Sequence, residues 1–277
     1  MMHMSVGACC AAIRDGKAFH AAVGDEAFFV KIEDYTHFVC TAIHSGHRMR
    51  PALREKCALS EAERLYEEDP FTDEVIADMP ITVIGNDSRF EYDLNRAAEA
   101  CIYEEAWGKT VWRIPLSEAE KAASVAKHEA FYTVLGTLYD KLEGLHPAVL
   151  VYDVHAYNYR RPGMSDDAPM FNVGTEQLDT RRWQQFIGQW VDRLGRIRLP
   201  GVEVRAAIDE TFYGRGYHAT FIGQHCRNTL ALPTELKKVF MDETSGEPRR
   251  DVLQALRQAF TAAVLDHAQG LARDRSP

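Results

Sequence analysis

Apolar positions along the chain follow two periods. Alternating or unbroken short apolar runs, rich in β-branched and aromatic residues, read as strands at residues 27–32, 37–44, 81–86, 147–155 and 202–209. The segment NTLALPTEL reads as a further strand that delivers Glu235. Between these runs the spacing changes to that of helices. Residues 60–78 form one, and Ser117 with Glu120 makes a capping box before another that runs to about Leu142. Trp183, Phe186, Ile187, Trp190, Val191 and Leu194 recur at helical spacing, as do Val252, Leu256, Ala259, Phe260 and Ala263. Strands alternating with helices predict an α/β protein, a three-layer α/β/α sandwich on a mixed, largely parallel sheet. The run PAVLVYDVH, almost continuously apolar, predicts a strand buried on both faces.

Composition narrows the classes. A chain of 277 residues with 46% hydrophobic content can bury a large core, and no linker or low-complexity tract divides it. One domain over residues 1–277 is expected. The formal net charge is −9 and no basic stripe is present, which argues against nucleic acid as a partner. No apolar run is long enough for a membrane span. The start, MMHMSVGACCAAIRDG, lacks the basic region and apolar stretch of a signal peptide. The six cysteines show no C-x-x-C spacing and read as free thiols of a cytoplasmic protein. The oligomeric state is left open.

In open α/β sheets, ligands bind beyond the carboxyl ends of the strands. His44 closes one buried run, in FVCTAIHSGHRMRP; Asp153 and His155 close another, in VYDVHAYN. Two histidines at two strand ends suit a metal, because neutral imidazole with a carboxylate makes a catalytic zinc site that keeps one position open. His44-x-x-His47 alone is a chance spacing. Carboxylates follow in YEEDPFTDEV (Glu67, Glu68, Asp69, Asp73), most of which read as a solvated helix face. A second cluster, DSRFEYDLNRAAE, sets Arg89, Asp93, Asn95 and Arg96 after an apolar strand. An arginine fork there suits a carboxylate ligand, although a surface ion pair is the commoner use. A third, DETFYGRGYHATFIG, carries Gly214, Gly216 and Gly223, which permit close backbone approach.

Taken in order, HSGHRMRP, EEDPFTDEV, RFEYDLNR, YDVHAYN, FYGRGYHATFIG and LPTEL resemble the N-formylglutamate amidohydrolase family over about residues 40–245. The resemblance implies a phosphorylase/hydrolase-like fold similar to that of zinc carboxypeptidases and aspartoacylase. It implies hydrolysis of a small N-acyl amino acid, such as N-formylglutamate, with Zn2+ as cofactor. His44, Asp69 and His155 resemble the metal ligands, with Glu68 competing for the carboxylate position and Asp153 orienting an imidazole. Glu235 matches the carboxylate that activates water, and Arg89 or Arg96 would stabilise the oxyanion. Asn95 and Arg96 resemble the clamp on a substrate α-carboxylate, with Gly214, Gly216 and Tyr217 beside it.

The chain also departs from the family pattern. It has DVHAYN where Cys-His-Ser is usual, Gly214-Arg215-Gly216 where a Gly-Gly pair is usual, and Lys238 where a final arginine follows the glutamate. These changes touch substrate recognition more than metal binding. Three other readings compete. Ser45 could be a nucleophile beside His155 and Asp153, although no G-x-S-x-G elbow is present. The chain could be an exopeptidase of the same fold, or a silent module that binds an acidic metabolite.

Overall fold

The computed structural model describes residues 1–165 and 167–274. Its elements are, in chain order, β1 (Met2–Met4), α1 (Val6–Arg14), β2 (Phe19–Val23), β3 (Phe28–Ile32), β4 (Phe38–Ala42), α2 (Pro51–Arg54), α3 (Glu61–Glu67), α4 (Thr72–Val75) and β5 (Ile81–Gly85). There follow β6 (Glu105–Ala106), β7 (Lys109–Thr110), α5 (Glu118–Leu145), β8 (Val149–Tyr157), β9 (Phe171–Val173), α6 (Thr180–Gly195), β10 (Ala206–Ile208), α7 (Tyr217–His225), β11 (Thr229–Lys237) and α8 (Arg250–Asp274). Strands β6 and β7 pair as a small hairpin. The other nine form one sheet in the order β1-β2-β3-β5-β4-β8-β11-β9-β10. Its centre, β5-β4-β8-β11, is parallel throughout, and antiparallel pairs flank it at β3–β5 and β11–β9. The α/β class and the mixed, largely parallel sheet are as the sequence pattern predicts.

Strand periodicity sorts the core into two layers. On β8, Leu150, Tyr152, Val154 and Ala156 pack on one face with residues of α4, α6 and α8. Val149 and Val151 pack on the other with residues of α1, α5 and α7. The face shared by Val149 and Val151 continues to Asp153 and His155, since alternate residues share a face. The same face turns polar along its neighbours. In register, Thr41 of β4 and Pro233 of β11 lie opposite Asp153, and Glu235 lies opposite His155. The carboxyl ends of the central strands therefore form one polar floor beneath α5 and α7.

One expected helix is divided. Residues 60–78 break after α3: Glu68 is extended, Pro70 follows, and α4 is a single turn. Proline disfavours helical backbone in the residue before it and donates no hydrogen bond. The break directs Asp69 back to the sheet, where its N–H donates to the His44 carbonyl over 3.0 Å. The run at 202–209 keeps only Ala206–Ile208 as strand, while 147–155 extends to Tyr157. Among the described residues, no helix is long and apolar enough to cross a membrane.

Two close backbone approaches shape the floor. A Cβ on Gly46 would lie 2.2 Å from the Asn86 backbone, where the turns after β4 and β5 press together. One on Gly174 would lie 2.2 Å from Gly214 N, and Gly214 has φ +75°. Gly46→Ala is expected to destabilise the protein by about 2–3 kcal/mol, because backbone must move. Gly188 has open space around its Cβ position within α6, so Gly188→Ala should stabilise by about 0.5–1 kcal/mol. Urea unfolding of the two variants checks both signs.

Candidate active site

The site grows from two strands and one helix break. His44 lies two residues past β4, His155 sits within β8, and Asp69 arrives from the break between α3 and α4. One Asp69 oxygen, Oδ2, lies 3.4 Å from His44 Nδ1 and 3.2 Å from His155 Nδ1. All three residues are at most 4% exposed.

Each imidazole is held from behind by a second carboxylate. His44 Nε2 donates to Asp93 Oδ1 over 2.8 Å. His155 Nε2 donates to Asp153 Oδ2 over 3.0 Å. Asp93 also accepts from Arg89 Nη2 at 2.7 Å and from Asn95 N at 2.6 Å, and binds the Tyr103 hydroxyl. Asp153 also accepts from the Thr41 hydroxyl at 2.7 Å. With Nε2 committed as donor, Nδ1 is the atom each ring turns towards Asp69.

These donors fit a cation. His44 Nδ1 is buried without a hydrogen-bond partner, an expense that a metal would remove. His44, Asp69 and His155 are the described residues whose ligand atoms converge closely enough to hold an ion. Metal bonds of about 2 Å in tetrahedral geometry need donor separations of about 3.3 Å, close to the 3.4 and 3.2 Å found.

Electrostatics follows from this packing. Burial would raise Asp69, but the two imidazoles beside it, His155 and then His44, hold it well below the usual carboxylate range. Burial would lower His155, but Asp153 and then Asp69 hold it well above the usual histidine value. Glu235 moves the other way. Burial pushes its carboxyl up to about 7, Asp69 adds to the rise, and His155, Arg89 and His44 oppose it. A bound cation would lower it again.

The site floors a cleft of about 650 Å3 that His44, Asp69, His155, Glu235, Asn95, Arg96, Arg89, Gly214 and Gly216 all line. Arg89 faces the cleft with its fork on Asp93 and its guanidinium 5.0 Å from the centre of the Trp107 ring. Arg96 is exposed and pairs with no carboxylate among the described residues; its Nη1 donates to the Asn95 carbonyl over 2.9 Å. Gly216 is needed here because a Cβ would lie 2.2 Å from the Asn95 amide oxygen.

Other sequence candidates fall elsewhere. Glu68 is turned away from the imidazole pair and binds Ser88 and His47. Tyr217 lies off the cleft, its ring against Tyr132 at 4.9 Å in a neighbouring groove. Only its N–H touches the clamp, donating to the Asn95 carbonyl over 3.1 Å. The Ser45 hydroxyl is directed at the Ala42 and Gly85 carbonyls, at 3.4 and 3.3 Å, which removes it as a nucleophile.

Sequence reasoning missed Trp107, Asn172 and His218. Trp107 sits at positive φ in the tight turn of the β6–β7 hairpin, with Gly108 beside it, and the turn presents its indole to the cleft. Asn172 braces the loop before Gly214: its side chain donates to the Phe212 carbonyl and accepts from Glu210 N and Thr211 N.

Histidines and carboxylates gathered at the carboxyl ends of the central parallel strands, with Glu235 in the same cleft, are the arrangement of an active site on an α/β fold. The family model for N-formylglutamate amidohydrolase matches residues 36–240, and the chain belongs to that family. Among solved structures, the N-formylglutamate amidohydrolase of Ralstonia eutropha JMP134 aligns at a TM-score of 0.72 with 16% identity, over 90% of this chain and 99% of that one. A gene product from Agrobacterium tumefaciens aligns at 0.61 with 14% identity, over 87% and 95%. At these identities the likeness is one of fold. No curated protein matches significantly.

A cation can take His155 Nδ1 only after its proton leaves, and Asp153 with Asp69 holds that proton tightly. Zinc affinity is therefore expected to rise with pH through the raised titration of His155, above the usual histidine range. His155→Ala and His44→Ala should each lose the metal. Chelator competition at several pH values, with circular dichroism to check folding, measures both. Full zinc content in two folded variants would remove these residues as ligands.

Proposed function

We propose that this protein hydrolyses the amide bond of an N-formyl or other short N-acyl amino acid, N-formylglutamate being the first to test, with zinc held by His44, Asp69 and His155. The observation that carries this reading is the pairing of that donor set with Glu235, opposite His155 in the sheet register and in the same cleft. Zinc held there would supply Lewis acidity, to polarise an amide carbonyl and acidify water.

The chain's own residues do the rest. Glu235 accepts the proton of the attacking water and returns it to the departing amine nitrogen. Arg96 and Asn95 hold the substrate carboxylate; Arg96 is suited to this because no carboxylate of the described residues occupies its fork. Arg89 places fixed positive charge beside the reacting carbonyl while it braces Asp93. Trp107, Tyr157 and Phe212 wall the cleft against water. The six cysteines are free thiols, which supports a cytoplasmic setting.

A cleft of about 650 Å3 also admits a dipeptide, which keeps exopeptidase action as a second reading. A panel of N-acyl amino acids and dipeptides separates the two by product. Glu235→Gln should lower kcat by about 10²–10⁴ with a smaller change in KM. Arg96→Lys keeps the charge but loses the fork, and its effect should fall mainly on KM. A Glu235→Gln enzyme running near the wild-type rate would remove Glu235 as the base.

A further inference from the structure

His218 has no place in the chemistry above, yet it is fully buried at the second residue of α7. Its Nε2 lies 2.7 Å from the Tyr139 hydroxyl of α5, and Tyr139 is also fully buried. Its Nδ1 lies 3.1 Å from Asp153 Oδ1, on a bent approach. Asp153 is the carboxylate that holds His155. The backbone N–H of His218 donates to the Asn95 side-chain oxygen over 3.2 Å.

The partners of His218 favour one proton arrangement. An ionised carboxylate only accepts, so the His218 nitrogen facing Asp153 must carry hydrogen. His218 Nε2 is then a lone pair, and the Tyr139 hydroxyl donates to it. Asp153 Oδ1 thus accepts from the Thr41 hydroxyl and lies against His218 Nδ1, which turns Oδ2 to His155 Nε2. The His155 ring is left with its Nδ1 towards Asp69.

We propose that His218 is a positioning residue: its side chain, set by Tyr139, orients Asp153 and through it the metal-facing nitrogen of His155, while its backbone holds Asn95. One residue at the start of α7 thereby ties the substrate clamp to the metal-binding strand. The proposal rests on the reading of His44, Asp69 and His155 as a metal site.

The test measures zinc affinity by chelator competition and the visible spectrum of the cobalt-substituted full-length protein. His218→Leu should weaken zinc binding by about 10–100-fold and alter the cobalt bands. His218→Asn, which keeps an N–H donor near the Nδ1 position, should recover most of the loss. Tyr139→Phe, lacking one hydroxyl, should weaken binding by about fivefold. A folded His218→Leu protein with wild-type zinc affinity and cobalt spectrum overturns the proposal. If His218→Leu does not fold, unchanged affinity in Tyr139→Phe overturns it instead. A wild type that binds neither metal overturns the metal reading, and this proposal with it.

Discussion

Two buried carboxylates, Asp93 and Asp153, hold a histidine each and so decide which nitrogens face Asp69. Burying an ionised carboxylate costs several kcal/mol unless donors surround it. Here they do. Asp93 gathers His44, the Arg89 fork, the Tyr103 hydroxyl and Asn95 N, and Asp153 gathers His155 and the Thr41 hydroxyl, with His218 beside it. Their charge, opposed by burial but favoured by these partners, is held well below the usual carboxylate range. Much of the surrounding structure can be read as the supply of those donors.

The sheet makes this arrangement possible at low cost. Parallel strands leave the core together, so one face carries apolar residues at depth and polar ones at the tips. Val149 and Val151 pack under α5 and α7; two and four residues on from Val151 stand Asp153 and His155. Glu235 meets the same floor from β11 through direct register with His155. Where loops must pass close by, Gly46, Gly174 and Gly216 let backbones or an amide approach where no side chain fits.

The departures from the family pattern have separate physical outcomes. Lys238 is buried, and burial lowers its ammonium to about 8. Its Nζ donates to the Glu68 carbonyl at 2.7 Å and the Tyr66 carbonyl at 2.8 Å, which fixes the segment that delivers Asp69. Arg215 sits on the cleft rim, paired with Glu176 at 2.6 Å. Asp153, in DVHAYN, serves His155 directly. None of the three displaces a candidate metal ligand.

Strand and helix periodicity in the sequence was enough to place β3, β4, β5, β8 and β11, to define the α/β class, and to put His44, Asp153, His155 and Glu235 at strand tips. Those signals are local: alternation and apolar run length depend only on neighbouring residues. The choice of Asp69 over Glu68 came from resemblance, and the structure turns Asp69 inward because the chain breaks before Pro70. Resemblance puts Tyr217 beside the clamp, but successive helical residues point about 100° apart, so its ring leaves the cleft while His218 faces Asp153. The pairs that orient the site, Thr41 with Asp153 and Tyr139 with His218, are 112 and 79 residues apart. Such pairings carry no periodic signature; they exist only once strand order and helix packing bring distant polar atoms within about 3 Å, where burial makes each partner necessary.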